Sequence, residues 1–268
     1  MVLVHKADGT TEQFDEHKVI TSIRRAGIPK ELEDRVLAKV KNNLREGIPT
    51  YEIYQMILEA LSESEQPYSK ARYSLKQAIM LLGPSGYPFE DFISRIFEEE
   101  GYVTQTRQTL SGKCVTHEID VIAEKNSKKL MVEVKFHNNP GARSEIQVAL
   151  YVKARFDDIK ERNDINEAWI VTNTKTTIDA NTYAQCAGMK VLSWNYPDGD
   201  SLREKIERAK LHPITMLTTL SPTYQLKLLQ NQILLCKDLK DHLEALDELG
   251  ISKEDKQRTL DELRFICG

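Results

Sequence analysis

Apolar residues recur along the chain in patterns that predict three segments. In the first segment, a short apolar run at residues 2–4 precedes several stretches in which apolar residues recur every three or four positions, the spacing of an amphipathic helix. Asp8 and Gly9 give a turn signal after the first strand, and Asp15 stands where an N-cap residue would begin the first helix. The pattern predicts a compact helical unit with a small β-hairpin at its front.

The second segment alternates between strand-like and helical patterns, whereas the third, from about residue 201, is nearly all helical. Strands are predicted near residues 102–109, 117–124, 129–136, 168–172 and 190–194. Helices are predicted near residues 89–100, 143–161 and 177–188. This order predicts a mixed sheet flanked by helices.

Two stretches that contain proline and glycine, at residues 83–88 and 195–200, separate the three segments. A length of 268 residues also favours two or three domains over one. We therefore predict an α/β multidomain protein with domains at residues 1–85, 86–198 and 199–268.

Composition and charge limit the classes of function. No stretch approaches the roughly 20 apolar residues that span a bilayer, and the first residues lack the layout of a signal peptide, so we expect a cytoplasmic protein with no membrane partner. A net charge of −4 argues against a protein that coats nucleic acid through bulk positive charge. Contact with DNA would therefore need a local basic patch, and the alternative is that the candidate residues are ordinary solvated charges. The candidates are Lys125, Lys128, Lys129, Arg143, Lys153 and Arg155.

Charged residues alternate with apolar ones on the two strands that flank residues 126–127. If residues 126–127 form a two-residue hairpin turn, counting outwards places Asp120 opposite Glu133 and Glu118 opposite Lys135. Because side chains alternate along a strand, these four should share one face of the sheet. The other face is predicted to hold Ile119, Val121, Val132 and Val134.

This set of charges predicts a hydrolytic metal site. Opposed carboxylates repel each other on a sheet unless a cation offsets the repulsion, and oxygen ligands without a histidine or cysteine set suit Mg²⁺ or Mn²⁺. A lysine beside the metal can orient an attacking water or stabilise a phosphoryl transition state. The set therefore indicates phosphodiester hydrolysis. The alternative is a surface salt bridge between Glu118 and Lys135, with Asp120 and Glu133 at a solvated edge.

Residues from about Gly86 to Tyr196 resemble the Mrr-like branch of the PD-(D/E)XK restriction-endonuclease superfamily. The resemblance rests on an opening helix YPFEDFISRIFEEEGY, then HEID, then MVEVKFH, and then a helix that begins EIQVALYVKARFDD. It implies a metal-dependent DNA endonuclease with Asp120, Glu133 and Lys135 as the catalytic residues. Ile119 directly precedes Asp120 and so occupies the position of the proline in the PD-(D/E)XK motif.

The same resemblance implies further site residues. Gln147, on the following helix, is expected as an active-site polar residue, and Glu90, on the first helix, as a helper. The Mg²⁺ or Mn²⁺ ion would be held by Asp120, Glu133 and Val134. Glu118 and His137 share the catalytic face by the predicted register, but the motif does not require them.

The opening sequence VLVHKADGTTEQFDEHKVITSI resembles the start of an ATP-cone domain, and the resemblance runs to about residue 82. It implies an allosteric site for ATP or dATP, in which lysines beside a glycine turn hold the phosphates. The residues that match are Val4, Lys6, Gly9, Glu12, Lys18, Thr50 and Arg72. Ala7 replaces a second basic residue, which implies weaker phosphate binding, and the alternative is a cone fold kept for protein contacts. No GxxxxGK[ST] loop occurs, so we expect this domain to sense a nucleotide without hydrolysing it.

We therefore predict a metal-dependent DNA endonuclease that ATP or dATP regulates at the N-terminal cone. The first alternative is a nucleotide-responsive DNA-binding regulator with a non-cleaving nuclease fold, and retention of Asp120, Glu133 and Lys135 argues against it. The second is an adaptor that acts through its helical ends. The C-terminal helices could contact the DNA backbone or join copies of the chain, and we expect a homo-oligomer.

Overall fold

The computed structural model describes residues 2–63, 68–83 and 85–267. Its strands are, in chain order, β1 (Leu3–His5), β2 (Thr11–Gln13), β3 (Ile48–Pro49), β4 (Val103–Ser111), β5 (Thr116–Lys125), β6 (Lys128–Lys135), β7 (Arg143–Ser144), β8 (Glu167–Thr172), β9 (Lys175–Thr176) and β10 (Lys190–Leu192). Its helices are α1 (Glu16–Arg25), α2 (Lys30–Asn42), α3 (Thr50–Ser62), α4 (Ser69–Tyr73), α5 (Leu75–Met80), α6 (Tyr87–Glu99), α7 (Ile146–Ile159), α8 (Ile178–Cys186), α9 (Leu202–Ala209), α10 (Pro222–Gln230), α11 (Cys236–Asp241), α12 (Glu244–Glu248) and α13 (Lys253–Cys267), with a 3₁₀ turn at Ile214–Met216. The predicted junction at 83–88 includes Pro84, which lies outside the described residues. Within these ranges, no helix combines the length and the apolar character that crossing a membrane requires.

The first of two compact units, Met1–Ala78 with Ile214–Gly268, begins with the predicted small β-hairpin, to which a third strand that was not predicted is added. Strand β1 pairs antiparallel with β2 and parallel with β3. The Asp15 side chain accepts a hydrogen bond from the His17 amide at 2.8 Å and so caps α1, as predicted. Val4 joins apolar residues of α1, α2 and α3 in the core of this unit.

A buried carboxylate connects the C-terminal helices of the first unit. Glu262 of α13 is fully buried, and its oxygens accept hydrogen bonds from the amides and hydroxyls of Thr218 and Thr219 at 2.7–2.9 Å. These bonds offset the cost of burying the charge. The helices after Ile214 belong to the same unit as the N-terminal residues. The three domain boundaries drawn from the sequence stay a prediction.

The second unit, Ile79–Pro213, contains the predicted mixed sheet. The strand order is β10-β8-β6-β5-β4, in which β4, β5 and β6 are antiparallel and β6, β8 and β10 are parallel. Helices α7 and α8 pack on the face that holds Met131, Ala168 and Ile170. Helix α6 covers the other face, where the rings of Phe97 and Trp169 meet edge-on at 5.5 Å between centroids.

The hairpin between β5 and β6 fixes the register of the charged residues. Asn126 and Ser127 both have positive φ, 49° and 62°, which are the backbone angles of a type I′ turn. Pairing continues from this turn to Val121 and Val132. The predicted two-residue turn and the predicted register are therefore confirmed up to that pair.

Candidate active site

Strand β5 separates from its neighbours at Asp120. The pairing of β4 with β5 includes Thr106 with Val121 and Gln108 with Ile119, but omits Arg107, whose φ is 54°, and Asp120. On the side of β6, Asp120 Oδ2 accepts a hydrogen bond from the Val134 amide at 2.6 Å. The Asp120 carboxylate therefore lies between β5 and β6, at the point where the pairing of these two strands ends.

The break at Asp120 changes which side chains share a face. Ile119 packs in the same core cluster as Ile122, three positions away. Residues three apart cannot share a face of a regular strand. The predicted grouping of Ile119 with Val121 is therefore wrong, because alternation assumes a regular strand and β5 is irregular here.

Glu133 lies in the centre of the charged cluster, with only 2% of its side chain exposed. Its Oε1 lies 2.6 Å from Lys135 Nζ, and its Oε2 accepts a hydrogen bond from Arg155 Nη1. Arg155, on α7, also donates through Nη2 to the carbonyl oxygen of Glu118. Arg155 is buried, so both interpretations of it, as part of a local basic patch for DNA and as an ordinary solvated charge, are wrong. Lys125, Lys128 and Arg143 are exposed.

Tyr151 lies beside both cations of the cluster. Lys135 Nζ and Arg155 Cζ are 5.6 Å and 5.1 Å from the centre of its ring, within the range of a cation–π contact. Gln147, Tyr151 and Arg155 follow one another at intervals of four residues on α7, so they line one face of the helix. Gln147 is exposed in the first turn of α7. The four-residue spacing within QVALYVKAR is the sequence signal that could have added Tyr151 and Arg155 to the site.

Two carboxyl groups of the cluster hold their protons unusually tightly. Burial, followed by the Glu133 carboxylate, raises the pKa of Asp120 to about 6. Burial and the Asp120 carboxylate raise the pKa of Glu90, on α6, to about 7, although a hydrogen bond from Arg107 opposes the shift. Arg107 Nη1 lies 3.3 Å from Glu90 Oε2 and 2.8 Å from an oxygen of Asp91. Burial, and to a smaller extent the neighbouring carboxylates, therefore disfavours the ionised forms of Asp120 and Glu90.

Replacing Asp120 with asparagine is expected to stabilise the metal-free protein at pH 8. A folded-state pKa near 6 lies above the ordinary value, so ionising Asp120 destabilises the fold as pH rises from about 4 to 6. Each tenfold change in proton affinity corresponds to about 1.4 kcal/mol, so the gain could reach about 3 kcal/mol. Asparagine still offers an oxygen to the Val134 amide. Urea unfolding at pH 8 and at pH 4 measures the difference, which should disappear at the lower pH.

The matched control for this prediction is Asp179→Asn, which removes an exposed carboxylate from the first turn of α8. We expect it to change the free energy of unfolding by no more than about 0.5 kcal/mol at either pH. An Asp120→Asn protein no more stable than wild type at pH 8 would contradict the cost of ionising Asp120 at this buried position beside Glu133.

His137 lies beyond the end of β6 and is held by polar contacts. Its amide donates to Asn173 Oδ1 at 2.8 Å, and its Nε2 lies 3.0 Å from Ser144 Oγ. Burial and the Lys135 charge lower the pKa of His137. The ring is therefore neutral at pH 7, and Glu118, the other residue predicted to share this face, is exposed.

Most of the predicted nucleotide residues lie around two adjoining cavities in the first unit. One cavity of about 150 Å³ has a largely apolar lining that includes Val4, Ile53 and Tyr73, with Lys18 and Thr50 also in its wall. The other, of about 490 Å³, is lined by residues 12–18 alone. Both include Glu12 and Lys18, so a base and a phosphate chain could occupy neighbouring spaces.

Glu12 lies between two of the predicted lysines. Its Oε2 is 2.7 Å from Lys6 Nζ and 2.8 Å from Lys18 Nζ, and these contacts lower the pKa of Glu12. Gly9 forms the turn before β2 with a φ of 80°. Arg72 does not line either cavity: its Nη2 donates to the Phe265 carbonyl oxygen at 2.7 Å, and its guanidinium stacks 4.4 Å from the Phe265 ring centre.

Three family models match successive parts of the chain. The ATP cone domain matches residues 2–78, the Mrr-type restriction endonuclease domain matches residues 82–203, and the AF1548-like C-terminal domain matches residues 212–267. These matches confirm the predicted ATP cone followed by an Mrr-like restriction endonuclease domain, and with them the predicted α/β multidomain class.

Comparison with individual proteins defines the family of the chain. An uncharacterized protein of Archaeoglobus fulgidus is 34% identical over 177 residues, which cover 66% of this chain and 100% of the relative. The crystal structure of AF1548, a protein of unknown function, has 33% identity and a TM-score of 0.59 over 68% of this chain and 98% of that chain. A DNA complex of the MspJI restriction endonuclease has 13% identity and a TM-score of 0.34 over 69% of this chain and 44% of that chain. The chain belongs to the AF1548-like family.

Proposed function

We propose that the chain is a metal-dependent DNA endonuclease whose activity an adenine nucleotide regulates at the ATP cone. The observation that carries the proposal is the position of Asp120, Glu133 and Lys135 where β5 and β6 separate, inside a restriction endonuclease domain. Burial, and after it the Glu133 carboxylate, raises the pKa of Asp120, and a divalent cation bound between the two carboxylates would favour the ionised form.

The donor set fits Mg²⁺ or Mn²⁺. Mg²⁺ in phosphoryl-transfer sites is bound by one or two carboxylates, keeps several waters and completes its shell with substrate phosphate. In this proposal Asp120, Glu133 and the Val134 carbonyl oxygen hold the ion. Such an ion stabilises charge on the phosphate and activates water. Among the described residues, no group of three or more histidine, cysteine or acidic side chains is arranged to hold a metal ion, and the proposed ligands are two carboxylates and one backbone carbonyl oxygen.

Other side chains of the site have separate proposed roles. Lys135 would bind a phosphate oxygen through its ammonium group and stabilise the charge that develops during hydrolysis. Glu90, with a pKa of about 7, exists at neutral pH in both protonation states and could exchange a proton with a reacting oxygen. Gln147 would donate from the exposed first turn of α7.

The test is cleavage of plasmid and linear DNA with Mg²⁺ or Mn²⁺, by wild type and by Asp120→Ala and Lys135→Ala variants. We expect cleavage that requires the metal and disappears in both variants. If wild type binds DNA but every protein is inert with either metal on both DNA forms, the endonuclease proposal is wrong.

A second candidate is a DNA-binding regulator that does not cleave. It is favoured by one observation, that Lys135 and Arg155 already engage both oxygens of Glu133. In that case the charged cluster is a closed ion-pair network. Equal and metal-independent DNA binding by wild type and by Asp120→Ala, without cleavage, would support this candidate.

Nucleotide sensing is the second part of the proposal. The apolar cavity, smaller than a typical ligand pocket, would take the base, and the polar cavity would take the phosphates beside Lys18. Lys6 lines neither cavity and reaches this site through its ion pair with Glu12. A bound triphosphate would compete with Glu12 for both lysines. We further propose that this exchange changes the association of the chain into a homo-oligomer and so controls cleavage.

Replacing Lys18 with methionine is expected to weaken ATP or dATP binding about tenfold, the loss of one charge-assisted phosphate contact. Titration calorimetry measures the affinity, and light scattering with and without nucleotide measures the oligomer. Lys30→Met, which removes an exposed lysine at the start of α2, is the matched control. Absence of ATP and dATP binding by wild type would leave the cone as a protein-contact domain.

A further inference from the structure

Arg155 is a buried cation within the proposed metal site. Its relative exposure is 8%, and it reaches both strands that carry the acidic residues, through the Glu133 carboxylate and the Glu118 carbonyl oxygen. Its Nε is buried without a hydrogen-bond partner among the described residues. Burying a guanidinium is costly unless it neutralises a charge that would cost more alone. Arg155 therefore acts as a counter-ion for the acids.

The charges of the cluster cancel. Asp120 and Glu133, when ionised, contribute two negative charges, and Lys135 and Arg155 contribute two positive ones. Attraction between a divalent cation and a site scales with the net charge of the site, and the Lys135 ammonium and Arg155 guanidinium groups would also repel an approaching cation. A free divalent cation therefore gains little from this arrangement.

The two cations differ in how easily they can leave Glu133. The Lys135 side chain is 32% exposed and its flexible stem can turn outwards, whereas Arg155 is 9% exposed and fixed by two strands. A phosphate of the DNA backbone binds ammonium groups strongly. Such a phosphate would draw Lys135 from Glu133 Oε1 and bring its own negative charge, while Arg155 keeps Oε2 in place.

We propose that Arg155 makes divalent-metal binding at Asp120 and Glu133 conditional on a DNA phosphate bound at Lys135. The inference rests on the proposed endonuclease function and adds an order of binding, DNA before metal. An empty site then stays free of metal, and hydrolytic water is activated only when a phosphodiester is present.

The test is Mn²⁺ binding, followed by the electron paramagnetic resonance signal of free Mn²⁺, with and without a duplex oligonucleotide. For wild type we expect binding at least about tenfold tighter with the duplex than without it, because the bound phosphate adds one negative charge to the site and draws one positive charge away from it. In Arg155→Gln, which keeps a donor for the Glu118 carbonyl oxygen but no charge, DNA-free Mn²⁺ binding should tighten about tenfold. If Arg155→Gln does not fold, as judged by circular dichroism, Arg155→Met takes its place.

The control is Lys160→Met, which removes one charge just after the last residue of α7, where Lys160 pairs with Asp157 at 2.8 Å and makes no contact with Glu133. We expect it to bind Mn²⁺ as wild type does. Equal or weaker DNA-free Mn²⁺ binding by Arg155→Gln would overturn the inference and leave Arg155 as a residue that only positions Glu133. If wild type with DNA binds no Mn²⁺, the metal-dependent endonuclease itself is refuted.

Discussion

Replacing Lys135 with methionine is expected to slow Mg²⁺-dependent DNA cleavage by about 100- to 1000-fold, the usual cost of removing one preorganised charge donor from a reacting centre. The Lys135 ammonium contacts Glu133 and is partly exposed, so it can reach a phosphate that enters from solvent. Methionine keeps most of the length of the lysine stem but lacks the charge that lies 5.6 Å from the centre of the Tyr151 ring. Single-turnover cleavage of supercoiled plasmid, at saturating enzyme, measures the chemical step without the contribution of DNA affinity.

The matched control is Lys190→Met, which removes an exposed lysine from β10, at the edge of the same sheet. It should cleave at the wild-type rate, because its charge lies outside the cluster. Affinity for DNA should fall only slightly in both variants, since each loses one charge. If Lys135→Met cleaves as fast as Lys190→Met, Lys135 takes no part in the chemical step.

The hairpin that carries the site could be predicted from the sequence because it depends on local rules. Two residues between alternating strands define a turn, and the turn defines the register by counting. The ladder from residues 125 and 128 to residues 121 and 132 follows that count. The Mrr-like domain was identifiable for the same reason, since its motif residues lie close together in the sequence.

The sequence could not reveal where regular geometry fails. Arg107 has a positive φ that is uncommon for a residue with a side chain, and no glycine marks the break that it makes opposite Asp120. Arg155 was misjudged for a different reason. Arginine is rarely buried without a partner, and its partner Glu133 is 22 residues away on another element. Such pairing depends on tertiary packing, which helical spacing alone does not specify.

Replacing Glu133 with leucine is expected to lower the free energy of unfolding of the second unit by about 3–5 kcal/mol, because Arg155 would keep its charge at a buried position without a carboxylate. The Glu133 and Arg155 side chains are only 2% and 9% exposed, so water cannot solvate the unpaired guanidinium without a change in packing. Urea unfolding followed by tryptophan fluorescence measures the effect. Both tryptophans of the chain, Trp169 and Trp194, lie in the second unit, so the signal reports on that unit.

A double-mutant cycle separates the loss of the ion pair from the loss of packing. Arg155→Met alone should cost less than Glu133→Leu, because Glu133 keeps its contact with Lys135. The double variant should recover most of the stability that Glu133→Leu loses, since two apolar side chains can replace a buried pair without leaving a charge unpaired. If the two losses simply add, the Arg155 charge is not what Glu133 neutralises. In that case Arg155 would not neutralise the acidic site, and the proposal that metal binding depends on DNA would lose its physical basis as well.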